Sequence, residues 1–209
     1  SDVCSSDLTL PLARFALSLT CALPALAAAQ ENYEIQVYPS ETIKKGTTIF
    51  ELHSNFTGAG TTVRSGSLLP TTGAFHETLE ITHGFSDIFE LGFYVFTSDR
   101  GADGYRFVGT HIRPRIRAPE SWKLPVGLSL STEFGPTNKA FDDSELGVEV
   151  RPIIDQTIGK FYWSFNPTIG WSMKGPDAGK GLDGMIFNPN IKLQWEVNDL
   201  VSAGVEYYG

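Results

Sequence analysis

The sequence predicts an all-β fold, an antiparallel up-and-down transmembrane β-barrel whose present residues supply nine strands. Three observations predict it. From Gly46 onward the chain falls into segments of about nine to thirteen residues in which apolar and polar side chains alternate with period two. No 3.6-residue period competes beyond residue 30, and 21 Gly with 12% aromatic residues suit sheet better than helix. The connections alternate between long, Gly/Asp/Ser-rich loops and tight turns, as in barrels with long loops on one side of a membrane.

The first segment reads as a leader. SDVCSSDL resembles read-through sequence, and LARFALSLTCALPALAAAQ follows it with Arg14, an apolar run from Phe15 to Leu26, and Ala27-Ala28-Ala29 before Gln30. That is the layout of a secretory signal cleaved after Ala29. Pro24 interrupts the run, which is too short to span a bilayer as a helix. Thr20 and Ser18 suit lipidation at Cys21 poorly. Cys4 and Cys21, the only cysteines, fall in residues 1–29, so no disulfide is expected in the exported protein. Residues 30–45, polar and ending in Lys44-Lys45, are expected to be a periplasmic or partly lumenal segment. Residues 46–209 are expected to form the barrel, C-terminally truncated because VSAGVEYYG stops in mid-strand.

The strands follow in order. TTIFELHSNF (47–56) sets Phe50, Leu52 and Phe56 against Glu51, His53 and Asn55. AFHETLEIT (74–82) sets Phe75, Leu79 and Ile81 against His76, Thr78 and Glu80. FELGFYVFT (89–97) sets Phe89, Leu91, Phe93 and Val95 against Glu90, Gly92 and Tyr94. In FVGTHIRPRIR (107–117), His111, Arg113, Arg115 and Arg117 alternate with Ile112, Pro114 and Ile116. VGLSLSTEF (126–134) and LGVEVRPI (146–153) continue the scheme, with Glu133, Glu149 and Arg151 on their polar faces. FYWSFNPTIGW (161–171), MIFNPNIKLQW (185–195) and VSAGVEYY (201–208) complete the nine. The turns are expected at HGFSD (83–87), PESWKLP (119–125), DQTIG (155–159) and NDL (198–200). Pro114, Pro152, Pro167 and Pro189 recur on apolar faces, and bulges are expected there because proline brings no N–H to a ladder.

Two architectures suit such strands: a soluble barrel or sandwich with the apolar face inside, and a membrane barrel with the apolar face on lipid. An export signal, strands of the ~9–11 residues that a bilayer requires, and six glycines on the polar face favour the second. Trp163 and Trp171, eight residues apart on one apolar face, lie roughly 20 Å apart along the membrane normal, near the ~25 Å spacing of aromatic girdles. Trp195 joins them as a girdle residue. Glu77 breaks the pattern, since its parity is outward.

The arginine stripe then reads as lumen lining rather than a nucleic-acid patch, which a net charge of −8 also disfavours. The expected lumenal set is Glu51, His53, His76, Glu80, Glu90, His111, Arg113, Arg115, Arg117, Glu133, Glu149, Arg151 and Lys192, with Glu196 and Glu206. Such mixed charges hold neighbouring strands together and also furnish a polar path that selects by charge. His53, His76 and a glutamate lack the spacing of a metal site, so no metal or cofactor is expected. GPDAGKG (175–181) lacks the spacing, the Ser/Thr and the helix of a phosphate loop.

Three stretches, YEIQVYPSET (33–42), HETLEITHGFSDIFELGFYVFTS (76–98) and RPRIRAPESWKLPVGLSLSTEFG (113–135), carry a family resemblance. Together they resemble the bacterial outer-membrane barrels of the "MetA-pathway of phenol degradation" family. The resemblance covers most of residues 31–208 and implies about twelve strands, of which nine are present, ending on a terminal aromatic residue. It also implies an outer-membrane location among lipid and lipopolysaccharide, and transport of small, hydrophobic or aromatic solutes. An outer-membrane channel or uptake protein without enzymatic activity is therefore expected. The alternatives are a lipid-hydrolysing barrel using His76, His83 or His111, a structural or adhesive barrel, and last a soluble periplasmic binding protein.

Overall fold

The computed structural model describes residues 36–209. The signal reading of residues 1–29 and the start of the 30–45 segment lie outside the described residues. Nine strands form one antiparallel sheet in sequence order, curled into a half-barrel. They are β1 (Thr48–Phe56), β2 (Phe75–Ser86), β3 (Phe89–Asp99), β4 (Tyr105–Arg117), β5 (Gly127–Pro136), β6 (Leu146–Ile158), β7 (Phe161–Lys174), β8 (Met185–Glu196) and β9 (Ser202–Tyr208). The expected soluble or membrane all-β pattern is thus observed as a meander, interrupted among the described residues by three short 3₁₀ turns. No helix among the described residues is long and apolar enough to cross a membrane, a statement that says nothing of strands.

Alternation dictates which face is which. Phe50, Leu52, Phe56, Phe93, Ile112, Ile116, Leu130 and Phe134 are exposed, whereas His76, Glu80, Glu90, Arg113, Ser131, Ser164 and Asn166 are buried. A folded domain ordinarily does the reverse, because burying a charge costs more than exposing a methyl group. The inversion persists because the concave face pairs its charges, while exposed large apolar side chains occur on the outward face of every strand. Glu77 lies on that outward side and accepts a hydrogen bond from the Tyr105 hydroxyl (3.1 Å).

The strands run further than the alternation alone implied. The expected turn DQTIG is strand up to Ile158, and the reversal is made by Gly159-Lys160 alone, with Gly159 at φ +61°. A two-residue hairpin needs such a left-handed residue. The expectation of bulges at the prolines is not met. Register shifts occur instead at Gly84/Ser86, Phe96/Thr97 and Leu146/Gly147. The second of these turns both Val108 and Gly109 inward. At the prolines the register continues: Pro114 pairs Leu91 and Pro152 pairs Leu130, but on the other side of each the pairing lapses. Between β6 and β7 it is absent from Val150↔Ile169 to Ile154↔Phe165, which brings Pro152 level with Pro167, and Pro167 in turn pairs Pro189. Two facing prolines offer no N–H to one another, so the rungs are missing without any residue being inserted.

Two further features position the site. At one end the long loops pack together: the Leu69 N–H donates to the Ala140 carbonyl (2.8 Å), Arg100 donates to the Pro70 carbonyl (2.8 Å), and Arg100 lies over the Phe141 ring. Phe141 closes over a small apolar cluster of Tyr94, Phe96 and Val108 on the inner face. The second feature is residues 36–43, which are not part of the sheet and cross its concave face.

Candidate functional site

The expected inner-face residues all lie on the concave side of their strands, and the structure gathers the centre of the set into one ion-paired network. Arg113 is almost fully buried at 2% exposure. It donates to Glu80 (2.5 Å), to Glu90 (3.0 Å), to Thr82 (3.3 Å) and to the Tyr94 hydroxyl. Arg115 pairs with the same Glu90 (2.7 Å), and His53 reaches Glu80 (3.2 Å). The register explains this convergence. Glu51 stands opposite Glu80, Glu90 opposite Arg115, and Gly92 opposite Arg113, where the missing side chain leaves room for the guanidinium.

The other charges form satellites. Arg151 pairs with Glu149 (2.9 Å) two residues away, Lys192 with Glu206 (2.8 Å) across β8 and β9, and Arg117 with Glu120 (2.9 Å) at the turn end. His76 bonds with Ser98 and Thr57, each at 3.2 Å, and so parts company with His53. No group of three or more metal-ligating side chains occurs among the described residues. The girdle candidates Trp163, Trp171 and Trp195 sit on the outward face. Phe161 pairs with Trp195 and Trp163 with Leu193 near the turn end, and Trp171 pairs with Met185 toward the other.

His111 forms a separate chain. Its Nδ1 bonds with Glu133 Oε1 (2.7 Å) and its Nε2 with Thr137 Oγ1 (3.3 Å). A hydroxyl, an imidazole and a carboxylate in series is the order used in acyl transfer. The neighbouring amides, however, are already engaged: Thr137 N–H donates to Glu145 O and Asn138 N–H to Val108 O. These two therefore offer no oxyanion site.

Residues 30–45 are the segment expected to be periplasmic or partly lumenal, and their described part fills the concave face. Residues 37–43 cross it from β9 toward β2, and wall side chains meet the crossing backbone throughout. Tyr38 N–H donates to Asn166 Oδ1 (2.7 Å), Ser40 N–H to Asp155 Oδ2 (2.9 Å) and Ile43 N–H to Glu90 Oε2 (2.6 Å). In return Ser164 donates to the Tyr38 carbonyl (2.7 Å), and Arg115 to the carbonyls of Pro39 (3.1 Å) and Glu41 (2.9 Å). The Tyr38 ring is ringed by the guanidinium groups of Arg113, Arg151 and Arg115, at 4.8, 5.0 and 5.5 Å from its centroid. Its hydroxyl lies 3.1 Å from that of Tyr94. Asp155, hidden in an expected turn, was the residue hardest to foresee. Ser164 and Asn166 already shared the polar parity of β7.

The crossing segment divides the space above the wall. On the turn side lies a cavity of about 500 Å³ bordered by Pro39, Ser40, Glu41, Arg117, Asp155 and Tyr162. Over β1–β4 lies one of about 220 Å³ bordered by Tyr38, Pro39, Glu41, Glu51, Glu80 and Arg113. Comparison with known proteins finds no matching family model, no similar curated protein and no similar solved structure.

Proposed function

We propose that the chain is the wall of an outer-membrane channel or uptake barrel for small solutes. The observation that carries this reading is the inversion of the sheet, with paired charges buried on the concave face and a belt of Phe, Leu and Ile exposed on the other. An exposed apolar surface of that extent needs a partner, and lipid is the partner that accepts a belt running around a curled sheet. Eight of the nine strands have nine or more residues, the length a bilayer demands. The signal read in residues 1–29 and the resemblance to outer-membrane barrels support the same location. Aromatic solutes are the class that the resemblance implies, and the three-arginine seat around Tyr38 is suited to such a ring.

The test is fractionation followed by reconstitution. The complete protein should appear in the outer membrane, migrate faster on gels before heating than after, and pass small solutes into vesicles. Recovery as a soluble periplasmic protein would refute the reading. The His111 chain favours one second reading, a lipid hydrolase. A serine-hydrolase-type fluorophosphonate probe that labels Thr137 would support that alternative, and absence of labelling in active membranes would remove it.

A further inference from the structure

We infer that Gln36–Ile43 is an autoinhibitory strap: it closes the passage by separating two cavities, and its release joins them. The inference rests on the channel reading. Pro39 and Glu41 border both the 500 Å³ and the 220 Å³ cavities, so the strap is their common partition. Nothing else in the two linings is shared, which makes this short run of main chain the barrier between the turn-side mouth and the ion-paired wall of β1–β4.

The way the strap is held fits a closure that opens. Residues 36–43 form no strand, and their polar contacts join strap backbone or side chain to wall side chains, apart from Thr42 Oγ1, which donates to the Asp87 carbonyl in the β2–β3 turn (3.3 Å). Lifting the strap therefore breaks no rung of the sheet. It uncovers Asp155, Asn166, Ser164 and Arg115, groups that water satisfies, and the apolar surface it exposes is confined to Val37 and the Tyr38 ring, which are buried while the strap is seated. An apolar plug would be far harder to dislodge.

The root is built in the opposite manner. Gly46 N–H donates to Gly84 O (2.7 Å) and Gly84 N–H to Thr47 O (3.0 Å), ladder-like bonds that anchor the chain to β2. Gly46 adopts φ +77° to turn the strap into β1, and a Cβ on Gly84 would meet the carbonyls of Ile43 and Lys44. A fixed root, an arm held with one exception by wall side chains, and one aromatic ring seated among three guanidinium groups make a hinge, a lever and a catch.

The experiment locks the catch. A Cβ built on Gly127 lies 3.2 Å from the Cβ of Ser40, so a shift of a few tenths of an ångström brings the pair into the ~3.5–4.5 Å that a disulfide spans. The complete protein with Cys4 and Cys21 changed to Ser would carry Ser40→Cys and Gly127→Cys, the Asp155 carboxylate turning aside. Its current in a planar bilayer would be recorded oxidised and then reduced, with Ser40→Cys alone as the control. A second variant, Tyr38→Ala with Asp155→Asn, loosens the strap with no cross-link and keeps the test alive if the disulfide fails to form.

The expected result is a small or absent current when oxidised, a several-fold rise on reduction, and a persistently raised current in the loosened variant. An equal, non-zero current in all of them would overturn the strap while leaving the channel intact. Absence of current in every variant, with the protein inserted and folded, would overturn the channel reading and the strap with it.

Discussion

Replacing Arg113 by Met should be among the most destabilising single changes in the wall, and the loss should fall on Glu80 rather than on Glu90. The guanidinium serves both carboxylates, but their remaining partners differ. Without it Glu90 keeps Arg115 at 2.7 Å and the Ile43 N–H at 2.6 Å. Glu80 keeps only the Thr82 hydroxyl at 2.6 Å and the His53 ring at 3.2 Å. Removing one member of a buried pair costs about 3–5 kcal/mol, chiefly because the other charge is stranded. Adding Glu80→Gln should therefore return most of that loss, whereas adding Glu90→Gln should return little, since Arg115 then loses its counter-charge and one amide oxygen cannot serve both Arg115 and the Ile43 N–H. The cost should also depend on dryness. With Tyr38→Ala admitting water, the penalty of Arg113→Met should shrink toward the ~1 kcal/mol of solvated pairs. Urea unfolding in lipid vesicles, followed by tryptophan fluorescence, would supply the four corners of each cycle. Arg113→Met within about 1 kcal/mol of the parent, or equal rescue by Gln at 80 and 90, would refute the reasoning.

Other consequences are accessible to simpler assays. Gly84→Ala places a Cβ against the carbonyls of Ile43 and Lys44, so melting should fall by several degrees and the strap should become open to added protease. Arg100→Ala removes the bond to Pro70 and the contact with Phe141 that tie two long loops to the strand end. Trypsin should then cut at Arg64 faster, with the sheet itself still resistant. Asp142, in the loop between β5 and β6, has its pKa raised from 3.8 by burial. The folded state therefore binds the proton more tightly, so Asp142 costs stability as pH rises from 3.8 through the raised value, and the full cost is present above it. Asp142→Asn keeps an oxygen for the Ser144 N–H. It should raise the melting temperature at pH 7 and leave it nearly unchanged below pH 3.8; an equal rise at both would show that burial of charge is not the cause.

Much of this arrangement was legible because a sheet records its environment with period two. His111, Arg113 and Arg115 could only share a face, and Ile112 and Ile116 could only share the other. The extent of β6 was less legible, because Asp155, Gln156 and Thr157 have the composition of a turn while following the parity of a strand. Asp155 is held in the strand by its pairing with Gly127 and Ser164, and its buried carboxylate is satisfied by Ser40, more than a hundred residues earlier, whose N–H and hydroxyl both donate to it. Local composition carries no trace of such a partner. A partly lumenal place for residues 30–45 was one of two readings of their composition, but the strap's path was opaque for the same reason: its main chain is recognised by side chains scattered over β3, β4, β6, β7 and β9. Phe96 shows the converse. It has the inward parity of Glu90 and Tyr94, and its inward phenyl ring finds company in the stacked Tyr94 ring, the edge of His111, the Val108 bulge and the loop residue Phe141.

The row Pro152–Pro167–Pro189 gives the wall a seam. On either side of the missing rungs β6 and β7 are stitched together, at Val148–Val150 and again from Ile154 to Ile158, but at mid-height the two halves of the sheet touch without being buttoned. Shear between β1–β6 and β7–β9 is therefore resisted by the ends of the two strands, with no main-chain bond at the centre. Such a seam is a fold line. It lets the sheet bend more sharply there than elsewhere, and it divides the wall into two panels that can be assembled in succession.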